Sequence, residues 1–454
     1  MKKLFNILSC LLAAITFFSC SNDEDKLTYQ DTSVNFAIAQ TGLDDNGEAE
    51  IGLTLSRAAG EDLQVTVGIN STNIQESELN FTPAVNDKQI TVSIPKGQST
   101  ASIKVSKKED ATPEGEMTFT ILSLSQTNGY KIGDVKEHKL SSAPVVQEKV
   151  DNLTLQGKGD TENYQYMVYV DMSTGKQVQI DRHSWDIAVE SGDGFHVVLN
   201  PAYGTVAAAT EKTDFASVTV DDAEKITLPG AHMPMGEGVI DDLSGDLSKT
   251  VFGEIPAQES DAKVFFVATD NNKSAKDKWY KVKVSRTETG YKVEYGATGD
   301  TTPKTLEVTK DPIYNFQGIS LENGKVAEAE PAGSKWDFRW SYGAQQLSAA
   351  QGGGYYASQD VITLNTVSGV EALAVTDKTY DSYTKSDASA ASFSSAANTI
   401  GVSWRSAFNG IYTDRFYVIK DAAGNYYKLQ FLKMGVAGDG GERGKPQIRY
   451  ELLK

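Results

Sequence analysis

The chain has 454 residues, 39% of them hydrophobic, which is enough for two or three domains with separate cores. Its formal net charge is −18 and it contains no basic cluster, so nucleic acid is excluded as a partner on electrostatic grounds. The acidic residues are dispersed and read as a solvated surface. Cys10 and Cys20 are the only cysteines, which leaves no disulfide framework and no Cys-based metal site.

At the N-terminus, Lys2 and Lys3 precede an apolar stretch, Leu4–Phe18, that ends at Ser19-Cys20. The stretch is too short for a spanning helix and reads as a secretory signal over residues 1–19. It resembles a bacterial lipoprotein signal, which implies lipid attachment at Cys20, although Phe17 and Phe18 depart from the leucine and small residue usual there. The following Ser21-Asn22-Asp23-Glu24-Asp25 is similar to the acidic export tag of some Gram-negative surface lipoproteins. The implied location is the outer membrane, with the protein lipid-anchored and facing the cell exterior. There is no second long apolar run, so lipid would be the sole attachment. Residues 20–32 are polar and read as a tether.

Residues 33–142 alternate. VNFAIAQ, AEIGLTLS, LQVTVGI, KQITVSI, TASIKVS and MTFTILSL are period-two runs bounded by Gly, Asp, Asn and Pro. Six or seven short strands in this space predict a β-sandwich. The segment IPKGQSTASIKVSKKEDATPEGEMTFTI resembles the Calx-beta family, some members of which bind calcium through carboxylates near one end. Glu48, Glu50, Glu109, Asp110 and Glu114 are loosely comparable, but calcium needs six to eight oxygens brought together. Asp44-Asp45-Asn46-Gly47-Glu48 departs from EF-hand spacing, so a Ca2+ site in this domain is not supported by ligand spacing.

From about residue 150 onwards the chain repeats itself. Trp-Asp heads a short run at Trp185 and again at Trp336, a separation of 151 residues, and the same 151 residues separate Val267 of KVFFV from Val418 of DRFYV. A hairpin precedes each Trp-Asp pair, with turns at Ser173-Thr174-Gly175 and Glu322-Asn323-Gly324. TEKTDFASVT (Thr210–Thr219) is echoed by TDKTYDSYTK (Thr376–Lys385). These echoes predict tandem domains over residues 150–300 and 304–454. The copies differ in two loops, Pro229–Gly238 and Gln351–Tyr356, which is where function is expected. The Trp-Asp pairs read as scaffold, with tryptophan in the core and aspartate capping a neighbouring turn.

The order of a Gly-Lys hairpin, a Trp-Asp strand, a glycine-rich loop, an aromatic FFV-type strand and a D-G/N turn resembles the HmuY family of outer-membrane haemophores. The second copy carries it best, in NGKV, KWDFRW, QGGGYY and RFYVIKDAAGNYYKLQF. The fold class expected is therefore all-β: a Calx-beta/Ig-like sandwich followed by two tandem HmuY-like β domains. The resemblance implies haem as cofactor, held between two axial side chains, and a TonB-dependent transporter as partner. Imidazole and thioether donors suit haem iron. In the first copy, His232, Met233 and Met235 are the only residues that carry over as cofactor ligands, and the match is loose; the alternative is an ordinary loop whose methionines close a small satellite core. The second copy has neither His nor Met in the corresponding interval, and Gly253-Glu254-Ile255-Pro256 supplies no second donor.

No catalytic motif stands out. His138, His183, His196 and His232 sit in no metalloprotease or triad signature, and Gly352-Gly353-Gly354 lacks the residues of a phosphate loop. The expected function is non-enzymatic binding at the cell surface. The alternative to haem is a glycan or protein ligand, for which Tyr355, Tyr356, Tyr380, Tyr383, Trp404 and Tyr412 could supply stacking faces.

Overall fold

A computed structural model describes residues 31–44, 46–229, 238–349 and 353–454. The protein is all-β, as the alternating sequence predicts.

The N-terminal sandwich has ten strands: β1 (Thr32–Phe36), β2 (Gln40–Gly42), β3 (Glu48–Leu55), β4 (Leu63–Ser71), β5 (Leu79–Thr82), β6 (Gln89–Ile94), β7 (Thr100–Lys107), β8 (Glu116–Leu124), β9 (Tyr130–Ile132) and β10 (Glu137–Ser141). They form two five-stranded sheets, in the orders β5-β7-β3-β1-β9 and β2-β10-β8-β4-β6. The additional strands include β2 and β9, which are three residues long and so carry no readable period. In β4, Leu63, Val65, Val67 and Ile69 are buried while Gln64 is exposed, so period two directs one face inward. Phe36, Ile51 and Ile103 from one sheet meet Val65, Ile90 and Phe119 from the other.

The remaining strands begin with β11 (Lys149–Thr154), β12 (Tyr166–Asp171), β13 (Lys176–Asp181), β14 (Ile187–Glu190), β15 (Val197–Leu199) and β16 (Val206–Ala209). Next come β17 (Val264–Ala268), β18 (Tyr280–Arg286), β19 (Gly290–Ala297), β20 (Lys304–Thr309), β21 (Phe316–Ser320) and β22 (Lys325–Ala327). The chain ends with β23 (Phe338–Gln346), β24 (Tyr355–Leu364), β25 (Glu371–Val375), β26 (Arg405–Ser406), β27 (Gly410–Ile411), β28 (Phe416–Lys420), β29 (Tyr426–Lys433) and β30 (Gln447–Leu452). Two helices of one to two turns, α1 (Val220–Glu224) and α2 (Lys385–Ala390), interrupt them.

Four larger sheets result, and each draws strands from both sides of residue 300. Their orders are β13-β12-β23-β24, β15-β14-β21-β22, β16-β17-β18-β19-β20 and β11-β30-β29-β28-β25. Exchanging β11–β19 for the corresponding strands from β20 onwards maps each order onto its partner. The hairpin β12–β13 continues into β23, and β14 continues into β21. The first strand of this region, β11, closes on the last, β30.

Side-chain contacts follow the same correspondence. Asp186 Oδ2 accepts Leu321 N–H at 2.7 Å, and Asp337 Oδ2 accepts Met172 N–H at 2.7 Å. Asn200 donates to the carbonyls of Arg182 and Trp185, and Asn365 to those of Gly333 and Trp336. The echoed segments end in α1 and α2, whose N-termini carry capping boxes from Thr219 with Asp222 and from Thr384 with Asp387. Lys212 pairs with Asp222 and Lys378 with Asp387. Both Trp-Asp pairs lie just ahead of their strands, with Trp185 and Trp336 buried and each aspartate bonding to the turn of a hairpin from the other half. Gly175 and Gly324 hold the positive φ that those hairpin turns require, 72° and 62°.

The sandwich rests against this larger body. Lys445 Nζ donates to Ser99 Oγ, Gln98 Nε2 donates to Asp160 Oδ1 at 3.0 Å, and Ile38 joins the cluster that contains Trp340 and Tyr450.

Candidate functional site

A cavity of about 200 Å3 lies between the β15-β14-β21-β22 and β13-β12-β23-β24 sheets. Its apolar wall includes Phe316, Ala344, Ala357, Val361 and Leu364. Trp185 and Trp336 both line it, at 3% and 8% exposure. Their position follows from the fold: each indole is held beside its buried aspartate, and the two sheets carry one each toward the interface. Tyr169 packs edge-on against Trp336 with ring centroids 5.0 Å apart and donates its hydroxyl to Ala329 O.

The charged groups come from neighbouring elements. Arg339 on β23 reaches Tyr169 Oη at 3.5 Å and Thr363 Oγ1 at 3.4 Å, both at the long limit of hydrogen bonding, and makes no ion pair among the described residues. Glu330 is buried and accepts the N–H groups of Asn315 and Phe316 through Oε1, at 2.6 and 2.9 Å. Burial pushes its carboxyl up to about 7, against the pull of those bonds and of Arg339. Asp241 accepts from Leu199 and Val251, and burial pushes it up to about 6. Three buried N–H groups of lining residues have no partner among the described residues: Nε1 of Trp185, Nε1 of Trp336 and Nε of Arg339.

The sequence directed attention elsewhere. Cys20, His232, Met233 and Met235 lie outside the described residues. Ile240 to Asp242, which follow that loop in the sequence, line the cavity. No His, Met or Cys is among the described lining residues.

The described histidines are engaged. His138 sits in the sandwich between Ile38 O and Thr41 Oγ1, His183 Nδ1 faces Asp181 at 3.1 Å, and His196 Nδ1 faces Glu190 at 2.7 Å. Met167, Met172 and Met434 are fully buried in cores. The described residues therefore do not present a pair of free axial donors, and the fit to haem rests on the loop alone. Among the described residues no group of three or more His, Cys, Asp or Glu could hold a metal ion. In the sandwich, Asp44 Oδ1 accepts the N–H groups of Asn46 and Glu48, a turn-closing role.

Of the aromatics considered for stacking on a sugar, Tyr355, Tyr380, Tyr383 and Trp404 are buried in cores, Tyr356 is half-buried and Tyr412 is exposed. Arg339 and Glu330 were not singled out by sequence. A lone arginine among the aromatics of KWDFRW is the signal that could have found the first.

Together these features define an all-β protein with a cavity between two sheets of matching strand order. The chain belongs to the HmuY family: the family model "HmuY protein" matches residues 163–450 in a single span across both halves. HmuY is a family of binding proteins associated with haem. No curated protein matches the chain. Among solved structures, the apo-form Calx CBD1 domain shares 11% identity, covering 25% of this chain and 97% of that one, with a TM-score of 0.21. Calcium binding domain CBD12 of CALX1.1 shares 11% identity, covering 42% and 86%, with a TM-score of 0.20. A two-domain protein of unknown function from Bacteroides fragilis shares 9% identity, covering 40% and 71%, with a TM-score of 0.20. Among the described residues no helix is long and apolar enough to cross a membrane.

Proposed function

We propose that this protein is a surface-anchored, non-enzymatic binding lipoprotein that captures haem or a related tetrapyrrole for an outer-membrane, TonB-dependent transporter. The observation that carries this reading is the family match over residues 163–450. His232, Met233 and Met235 would hold the iron, which takes imidazole and thioether donors. In the sequence they stand a few residues before Ile240 to Asp242, which line the cavity. The lipid would be attached at Cys20, and a Cys20→Ala chain should leave the membrane fraction for the soluble one; retention in the membrane would sink the anchor. The matched strand orders support descent of residues 150–300 and 304–454 from one duplicated unit.

Haemin titration tests the ligand. The mature protein should give a saturable Soret shift in the ferric or ferrous state, and the shift should weaken when His232, Met233 and Met235 are changed to Ala. No shift in either state removes haem. A shift that survives the triple change removes these ligands. The second reading, a glycan or protein ligand, is favoured by one observation. Phe408 is 88% exposed at the tip of the β26–β27 hairpin, close in sequence to exposed Tyr412. Glycan-array binding that disappears in Phe408→Ala would support it, and a blank array would not.

A further inference from the structure

The two halves match at their buried aspartates, asparagines and capping boxes, yet they differ on one wall of the cavity. On one side, Tyr169, Arg339 and Thr363 stand in register across β12, β23 and β24. The corresponding row across β21, β14 and β15 is Gly318, Ala188 and Val198. The fold closes without a polar row at these positions, because the second row is small and apolar and closes the equivalent sheet. The charge on Arg339 is therefore not demanded by the architecture.

The groups around Arg339 are short of acceptors. Among the described residues the buried Nε1 atoms of Trp185 and Trp336 and the Nε of Arg339 are all donors without partners, and each belongs to a residue that lines the cavity. A buried donor left unpaired is costly, so three at one cavity mark a place where an acceptor belongs. Glu330, Asp241, Asp242 and Asp246 also line the cavity, and its second cation, Lys273, is paired with Asp270, so one guanidinium with two neutral donors suits a single negative charge better than the double charge of a phosphate. The rest of the lining is largely apolar.

We propose that this cavity binds a small, largely apolar monocarboxylate, whose carboxylate is taken by Arg339 and the indole N–H groups of Trp185 and Trp336. Ala344, Ala357 and Val361 receive the apolar part. None of its donors lies between residues 229 and 238, so this proposal does not rest on the haem ligands proposed above.

Calorimetric titration of the full chain with octanoate, methyl octanoate and octylamine tests it. Octanoate should bind saturably and at least about tenfold more tightly than either analogue, since only the carboxylate offers a charged acceptor. Arg339→Gln should remove that preference while leaving the weak binding of methyl octanoate in place. If Arg339→Gln fails to fold, Trp336→Phe keeps the ring, deletes the N–H and should weaken octanoate several-fold. Equal affinities for octanoate and its methyl ester overturn the proposal, as does an absence of octanoate binding. Octanoate binding should also survive the change of His232, Met233 and Met235 to Ala. Loss in that variant would assign the carboxylate to the loop and overturn a separate site, whereas a failed haemin titration leaves it standing.

Discussion

The sandwich and the larger body that follows solve burial differently. In the sandwich, Ser99 and His138 are the only buried polar residues among those described, and the core is otherwise aliphatic and aromatic. The larger body buries Asp186, Asp337, Glu330, Asp360, Lys281 and Lys428 along with its tryptophans. The difference lies in what each must specify. The main sandwich pairings follow from alternation, which fixes the inward face. The larger body must join β12 to β23 and β14 to β21 across more than a hundred residues of chain, and apolar faces alone do not choose between partners. Asp337 bonded to Met172 N–H and Asp186 bonded to Leu321 N–H are satisfied only when the correct hairpin arrives. They act as keys for the pairing, the use to which buried polar groups are best suited.

Removing a key is the largest test of that contrast. Asp337→Ala should destabilise the larger body by about 3 kcal/mol, because it leaves the Met172 N–H buried and unpaired. Asp186→Ala should do the same through Leu321. Chemical denaturation with separate probes for the two regions reads the outcome. An unchanged midpoint for the larger body, or an equal loss in the sandwich, would break the comparison.

Proton linkage should move the two regions in opposite directions. His138 is fully buried, and burial lowers it to about 4, so the unfolded chain takes its proton first as pH falls below the ordinary value of 6.5. Its contribution is complete above pH 6.5 and is lost between 6.5 and 4, by up to about 3 kcal/mol. For Asp337 and Glu330, pushed up to about 7 by burial, and Asp186, pushed up to about 6, the native state holds protons that the unfolded chain has released. Stability from these carboxyls is present at low pH and lost as pH rises toward 7. Scanning calorimetry from pH 5 to 8 should therefore raise the sandwich transition and lower that of the larger body. Parallel movement would refute the contrast.

The smallest effect concerns the helix caps. Thr384→Ala should cost about 1 kcal/mol, since its hydroxyl accepts the Asp387 N–H at the start of a short helix. Thr219→Ala should cost less, because the Thr219 hydroxyl donates to the Asp222 carboxylate and makes no cap bond to a helix N–H; thermal melts that put the two losses level would refute this.

Much of this was legible. Leu63, Val65, Val67 and Ile69 announce a strand and its inward face, and Gly175 and Gly324 sit at the turns that their sequences require. The spacing of Trp185 and Trp336 pointed to matched scaffold, and both tryptophans are buried beside bonded aspartates. The exchange of strands between halves was not legible, because a two-residue period says which face is covered and not by whom. The burial of Lys281 and Lys428 was not legible either: each lies over the ring of Phe215 or Tyr380, with Nζ donating to backbone carbonyls that only the folded chain brings to it. Arg339 could be weighed only once strand register placed it opposite Tyr169, with Ala188 opposite Gly318 as its counterpart.

The closing of β11 on β30 has a consequence for how the molecule would come apart. The halves are held by the ladders β11–β30, β12–β23 and β14–β21, together with β19–β20 beside the crossing point. The peptide that runs between them passes through an exposed turn at Gly299–Thr302. A protease that cut this turn would sever the chain and leave the assembly whole, two interlocked pieces travelling as one particle until a denaturant separated them. In that sense residues 149–454 behave as a dimer whose subunits happen to share a covalent link.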